Sequence, residues 1–349
     1  MQRILVAAVL FMSAALPSAA ISLNLDSIAE WGRFPRFCIG VYRWGDRFFN
    51  SYDSTYVQGT GYKFNVKVTT DSWFDFYNFM LPERTTMHMR SEPSTSIGAH
   101  LTYLAVSVGY DVNFSKLFGG PSEARQRYNF GFNCSLFAAE LSYIKNDVGT
   151  RITRFGTAGI DTDYKIKLPF KGINVSSWNL DTYYFFNHKR YSQAAAFNFS
   201  KLQKKSQGSF YAGVSIYTQH FDFDFSELPS EILEHLPQSW PDYRYNVKTH
   251  NYALRAGYGY NWALGRHWLI GVTESPVIGL KKGFINSEDE HVSCSLSNRL
   301  GVAVVWNNGH WFFGATGRCD IGLIYDKEHT FANAFVTGQM SVGYRFNLW

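Results

Sequence analysis

Apolar and polar residues alternate along the end of this chain. From Ala332 to Trp349, one phase holds Ala334, Val336, Gly338, Met340, Val342, Tyr344, Phe346 and Leu348, and the other holds Thr337, Gln339, Ser341, Gly343, Arg345 and Asn347. Period two marks a strand with two different faces. The run is too long for a globular strand of about five or six residues. It suits a tilted strand that crosses a bilayer, and it ends on an aromatic residue, as outer-membrane barrels do. Similar runs lie near 248–263, 266–281, 290–306 and 310–325. Short turns at Leu264–His267 and Asn307–His310 alternate with longer, charged gaps at 282–289 and 326–331. Short turns on one side and long loops on the other are what a membrane barrel needs.

The earlier part of the chain extends the pattern. A first spanning strand, SWFDFYNFM, begins at Ser72, and residues 81–95, with Pro82, Glu83, Arg84, His88, Arg90 and Pro93, read as an outer loop. Gly98–Asn113 and Gly131–Asn146 resemble each other, and each changes phase in its middle. A phase slip turns every side chain over unless a turn absorbs it. Each segment therefore reads as a hairpin with a tight turn, the repeating unit of an up-and-down barrel. Residues 147–176, polar and basic, read as an extracellular loop, and 177–187 and 209–220 as strands. Between them, 188–208 reads as a plug or as a further strand pair. The stretch 221–247 reads as a loop with a short helix capped by Ser226 or Ser230 and an apolar face of Ile232, Leu233 and Leu236. The expected fold is all-β: a transmembrane up-and-down antiparallel β-barrel over residues 71–349, with twelve strands, or fourteen if 36–70 or 188–208 supply a pair. Residues 21–70 form a periplasmic or lumen-inserted lead-in, with Phe64 to Val68 as a candidate strand.

Composition adds a location. Arg3, the apolar run Ile4–Leu16 and small residues at Ser18 and Ala20 predict a secretory signal cleaved after Ala20. The run is too short for a membrane anchor, and no later apolar run reaches about 18 residues. The bacterial outer membrane follows as the expected location. Mean hydropathy is −0.20, which fits a barrel whose strands give half their residues to the lumen. The 22 Tyr, 30 Phe and 10 Trp gather towards strand ends. A net charge of +5 without a long basic block makes nucleic acid a poor expectation as a partner. Cys134, Cys294 and Cys319 run in phase with apolar neighbours, so all three are expected to face lipid as small hydrophobes. Neither CxxC nor HxxxH spacing occurs, so no metal and no cofactor is expected.

The run WGD at Trp44–Asp46, then YDSTYVQGTG at Tyr52–Gly61, then Trp73, resembles a family of exported proteins of Bacteroidetes-type bacteria, labelled domain of unknown function 4421. The resemblance continues through Ser96–Tyr110, Phe137–Glu140 and Lys204–Ser209. It implies an outer-membrane location and brings no catalytic residues.

The alternation also assigns residues to the lumen. Arg255, Arg299, Arg318 and Arg345 hold the polar phase of the later strands, with Asp320 beside Arg318. His100, Asp111, Glu140 and Asp181 hold it on the earlier ones. In a closed barrel these basic and acidic walls face each other. Such a lumen either orients a polar or ionic solute across a pore, or it is a salt-bridged, filled interior. Twelve strands lie between filled eight-strand barrels and open porins. A second class is an outer-membrane lipid-modifying hydrolase, which needs a Ser–His pair at the outer rim. His250, His291, His310 and His329 sit near strand ends, but no GxSxG elbow is present and no catalytic residue is assigned. A third is a binding or scaffold barrel whose loops at 147–176 and 221–247 present Phe155, Tyr164, Phe170, Trp240 and Tyr243 to a glycan or a partner protein. The expected role is a pore or a surface-binding scaffold. Expected partners are outer-membrane lipid, a polar solute or glycan, and the barrel-assembly machinery through the terminal strand Ala332 to Trp349.

Overall fold

Strands make up most of the computed structural model, which describes residues 51–81, 85–103, 106–114, 126–146, 150–157, 160–164, 168–234, 244–285, 289–325 and 330–347, with 32, 36, 37, 40 and 45. In chain order they are β1 (Val57–Gly59), β2 (Phe64–Leu81), β3 (Thr85–Ser91), β4 (Ser94–Tyr103), β5 (Val106–Asn113), β6 (Gln126–Asn133), β7 (Phe137–Asn146), β8 (Thr150–Thr157), β9 (Ile160–Tyr164), β10 (Leu168–Phe170), β11 (Ile173–Phe185), β12 (Lys201–Gln203), β13 (Gln207–Asp224), β14 (Arg244–Leu264), β15 (Trp268–Ile285), β16 (Asp289–Asn307), β17 (Trp311–Tyr325) and β18 (Thr330–Phe346). Two short helices are α1 (Gln193–Phe197) and α2 (Ser230–Leu233). The expected signal sequence, Cys38, Trp240, Tyr243, His329 and Trp349 lie outside the described residues.

Twelve strands close a ring: β2, β18, β17, β16, β15, β14, β13, β11, β7, β6, β5 and β4, then β2 again, antiparallel throughout. The seam is the pairing of β2 with β4, from Phe64↔Tyr103 to Trp73↔Ser94. Residues 188–208 add no pair to the wall, so the count is twelve rather than fourteen. The wall begins at Phe64, ahead of Ser72. The phase changes fall where β4 gives way to β5 and β6 to β7, and each of these strand pairs is antiparallel.

The burial pattern is inside out. Met340 and Leu254 are 72% and 71% exposed, while lumenal Ser275 and Arg345 on nearby strands are 0% and 1% exposed. Val214, Ile278, Leu280, Val292, Leu296 and Ile321 continue the exposed apolar belt. Water would make such a continuous apolar face costly, whereas lipid tails solvate it. Outward rings mark both rims of the belt. Tyr110, Tyr128, Tyr143 and Trp178 stand side by side towards the long-loop rim, at centroid spacings of 5.6, 6.3 and 4.8 Å. Tyr344, Phe346, Phe64 and Tyr103 form a row at the short-turn rim. Leu254→Arg should therefore destabilise the folded barrel by about 2–4 kcal/mol if Leu254 lies near the bilayer midplane. Denaturant titration in lipid vesicles measures this, and an unchanged midpoint would contradict the lipid-facing assignment.

Two expected loops are ordered sheet instead. Residues 85–91 pair with the upper half of β2 as β3, and β8 pairs with β3 and carries β9 and β10. Pro93 and the charges of Arg84, His88 and Arg90 masked the alternation that buries Met87 and Met89. The Arg-rich run 150–157 likewise hid inward Ile152 and Phe155. These strands raise one side of the wall beyond the ring. Met87, Met89, Ile152, Phe155, Phe170, Phe223, Phe225 and Ile232 of α2 form a buried cluster at this end. Phe155 and Phe170, expected to be presented by a loop, are its core, at 4% and 0% exposed.

The connection between β11 and β13 is the exception on the short-turn rim. It packs onto lumenal side chains. Ala195, Ala196 and Phe199 join Leu269, Ala303, Val305 and Phe312 in one cluster, and Tyr191 joins Ala138, Phe185 and Tyr211 in another. β12 pairs with β1, fixing the lead-in to the plug.

Cys134 departs from the lipid-facing reading. It lies buried in the β6–β7 turn, where the Phe137 N–H donates to its Sγ at 3.2 Å. The turn ends the alternation, so phase counted from Tyr128 does not carry through to it. Cys294 is exposed on the outer face.

Candidate functional site

The lumen between the two clusters is polar because every second residue of each strand points inward. At its middle, five residues form one ionic network. Asp181 on β11 accepts from Arg255 of β14 at 3.0 Å and from Arg299 of β16 at 2.9 Å. Arg299 also pairs with Asp320 of β17, and Asp320 forms a second ion pair with Arg318 at 2.8 Å. The Tyr183 hydroxyl accepts from Arg255 and Arg299, at 2.8 Å each, and the Ser215 hydroxyl donates to Asp181. β11 and β16 are separated in the wall by β13, β14 and β15. The Asp181–Arg299 bridge is therefore a chord through the lumen.

This girdle stands between two chambers. The one nearer the short-turn rim has a volume of roughly 280 Å3, and its walls include Lys67, Asp71, His100, Glu140, Gln339 and the plug residue Phe197. The one nearer the long-loop rim has roughly 230 Å3, with Asp75, Tyr77, Ser177, Asn251, Lys281 and Ser295 among its walls. Arg255, Arg299 and Arg318 line both.

Of the nine lumenal residues expected from the alternation, Asp181, Arg255, Arg299, Arg318 and Asp320 are thus brought together. Glu140 pairs in register with Asp181 and lines the 280 Å3 chamber. His100 and Asp111 form a separate buried pair at 3.3 Å, joined by the Thr69 hydroxyl at 3.1 Å from His100. Gly109 and Gly98 stand opposite them, at positions where a Cβ would overlap the His100 ring and the Asp111 carboxylate. Arg345 stands apart at the short-turn end. Its guanidinium donates to the Gly309 carbonyl at 2.6 Å, to Asn307 Oδ1 at 3.0 Å and to the carbonyl of plug residue Phe199, and it lies over the Phe312 ring. Tyr183 and Lys281 were missed. Both share the lumenal phase of their strands, but Tyr183 sits in an aromatic run, and Lys281 marks the expected strand end.

Among the described residues no hydrolytic relay is assembled. Asp111 and Thr69 share the same nitrogen of His100, so the carboxylate cannot orient the ring from its far side. His250 bonds Thr218 at 3.0 Å, and His310 bonds Tyr62 at 2.6 Å. Among the described residues no cluster of His, Cys, Asp and Glu is placed to hold a metal ion.

Ring closure, the outward apolar belt and the bridged polar lumen define a β-barrel of the outer-membrane type. The chain belongs to the family described as Domain of unknown function (DUF4421), whose model matches residues 51–346. Comparison with curated proteins finds no match. Among solved structures, the outer membrane protease OmpT from Escherichia coli is similar at 7% identity and a TM-score of 0.37, covering 81% of this chain and 96% of that one. The COG4313 outer membrane channel from Pseudomonas putida F1 gives 7% and 0.35, covering 82% and 97%. The P. putida toluene transporter TodX gives 8% and 0.26, covering 87% and 98%. The fold assignment rests on the closed ladder and its lipid-facing side.

Proposed function

We propose that the chain is an outer-membrane pore that is closed at rest, for small polar solutes. The observation that carries this reading is the pair of polar chambers on either side of the ionic girdle, each ending against an apolar cluster rather than against a filled interior. On this reading the short-turn rim is periplasmic and the long-loop rim extracellular. The protein is exported by a signal peptide cleaved after Ala20, a lead-in of 21–70 precedes the barrel, and Ala332 to Trp349 engages the assembly machinery. A second reading is a surface-binding scaffold for a glycan or protein, favoured by the ordered β3–β8–β10 extension. Among the described residues the hydrolase reading has no geometry in its support.

Planar-bilayer recording of the refolded chain tests the proposal. The intact barrel should show no stable open level. Replacing 189–205 with a short Gly–Ser link, together with Ile232→Asp to loosen the extracellular cluster, should give stepwise conductance. Stable conductance of the intact chain would mean that the plugs do not close it. A folded, silent double variant would leave the extension as the functional surface.

A further inference from the structure

Lys281 is a lumenal cation set apart from the ionic girdle. On β15 it follows the inward phase of Thr273, Ser275 and Val277, all buried, while Ile278 and Leu280 face outward at 61% and 62% exposed. Its side chain opens on the 230 Å3 chamber, and it has no carboxylate partner among the described residues. Around the chamber and its girdle, Arg255, Arg299, Arg318 and Lys281 face Asp75, Asp181 and Asp320. Asp75 is engaged by the Tyr77 hydroxyl at 3.2 Å, and Asp181 and Asp320 are taken by arginines. A cation enclosed in a lumen is costly unless something compensates it. Water in the chamber does so in part, and an anion held in this low-dielectric space does more.

The rest of the wall fits a hydroxylated guest. Ser177, Ser215, Gln219, Asn251, Ser295 and Ser297 offer hydroxyls and amides. Asn251 pairs in register with Lys281, and its Oδ1 accepts from Ser295 at 3.1 Å. The volume is below the range of about 300–1,000 Å3 of drug-sized sites, so the guest is small.

We propose that this chamber binds a small hydroxylated anion, a carboxylate or a phosphate, with Lys281 as its cationic anchor and the serine and asparagine side chains as its hydroxyl partners. The inference rests on the reading of the lumen as a compartment for solutes. It is tested apart from conductance, because binding is measured on the folded barrel whether or not it conducts.

The experiment is isothermal titration calorimetry of the full barrel in detergent micelles with galacturonate, galactose and inorganic phosphate. Galacturonate should bind, and galactose should bind at least about tenfold more weakly, a difference of about 1.4 kcal/mol. Phosphate that displaces galacturonate supports the anchor and assigns a phosphate source; phosphate that does not assigns a carboxylate. Lys281→Met should lose at least about tenfold in affinity, Lys281→Arg should keep binding, and outward-facing Lys282→Met should not change it. Should Lys281→Met fail to fold, the contrast between galacturonate and galactose on the unmodified chain still decides. No anion binding by the unmodified chain, or galacturonate binding that survives Lys281→Met, overturns the proposal.

Discussion

Asp181→Ala should lower the stability of the folded barrel by about 3–5 kcal/mol. Asp181 is 1% exposed and pairs with two guanidinium groups, so its loss takes the carboxylate from Arg255, itself 6% exposed, and leaves Arg299 bridged only towards Asp320. Removing one partner from a buried ion pair is worse than removing the whole pair, because the remaining charge stays desolvated. Exchanging Asp181, Arg255 and Arg299 together for Leu, Met and Met should therefore recover most of the loss. Arg318→Met, at the half-open edge of the network, should cost much less. Urea titration of the vesicle-inserted barrel, with heat-modified gel mobility as the folding check, separates these cases. If the triple variant is no better than Asp181→Ala, the girdle is needed for more than charge balance.

The wall was legible in the sequence because its physics repeats every two residues. Alternation over 248–281 and 290–349 marked β14 to β18, and the phase slips marked where β4 gives way to β5 and β6 to β7. The basic and acidic walls were legible for the same reason, since inward phase follows from any outward-facing Leu or Val. What the pattern could not give was contact across the lumen. Nothing local says that Asp181 reaches Arg299 while Glu140, in register beside it, faces the plug-side chamber, because those distances depend on ring closure and on strand stagger. Residues 85–91 and 150–157 were missed for another reason. Their outward positions carry His88, Arg90 and Arg154, and a strand with one charged face and only a few inward apolar residues looks like a loop. Arg345 shows both sides of the argument. Its phase predicted the lumen, but its role depends on Phe199, far away in sequence.

Arg345→Ala is expected to unlatch the plug. Phe199 is fully buried and has φ 62°, a left-handed conformation that a bulky side chain rarely adopts. Such a residue costs about 1–3 kcal/mol and persists only where its surroundings hold it. Its carbonyl is held by Arg345 and by Asn307 Nδ2 at 3.2 Å, and its ring lies against Phe312 at 5.3 Å. A second Asn307 contact, to the Lys201 carbonyl at 3.3 Å, and the Asn261 amide on the Ser192 carbonyl at 2.9 Å complete the attachment to the wall. Alanine at 345 removes the charge-assisted bond, worth about 1.5–3 kcal/mol, from the buried Phe199 carbonyl, which keeps only Asn307, and frees the half-buried Gly309 carbonyl to water. The strained turn then has its main restraint removed, and the plug should leave the lumen while the wall, whose ladder bonds at 345 come from the backbone, remains closed. Proteolysis should cut near Phe199 in the variant and not in the parent. Single-channel recording should show steps once Ile232→Asp also loosens the other cluster. If the plug stays protected in Arg345→Ala, then Asn307, Asn261 and the apolar seat of Phe199 suffice to hold it, and the arginine serves packing over Phe312 rather than closure.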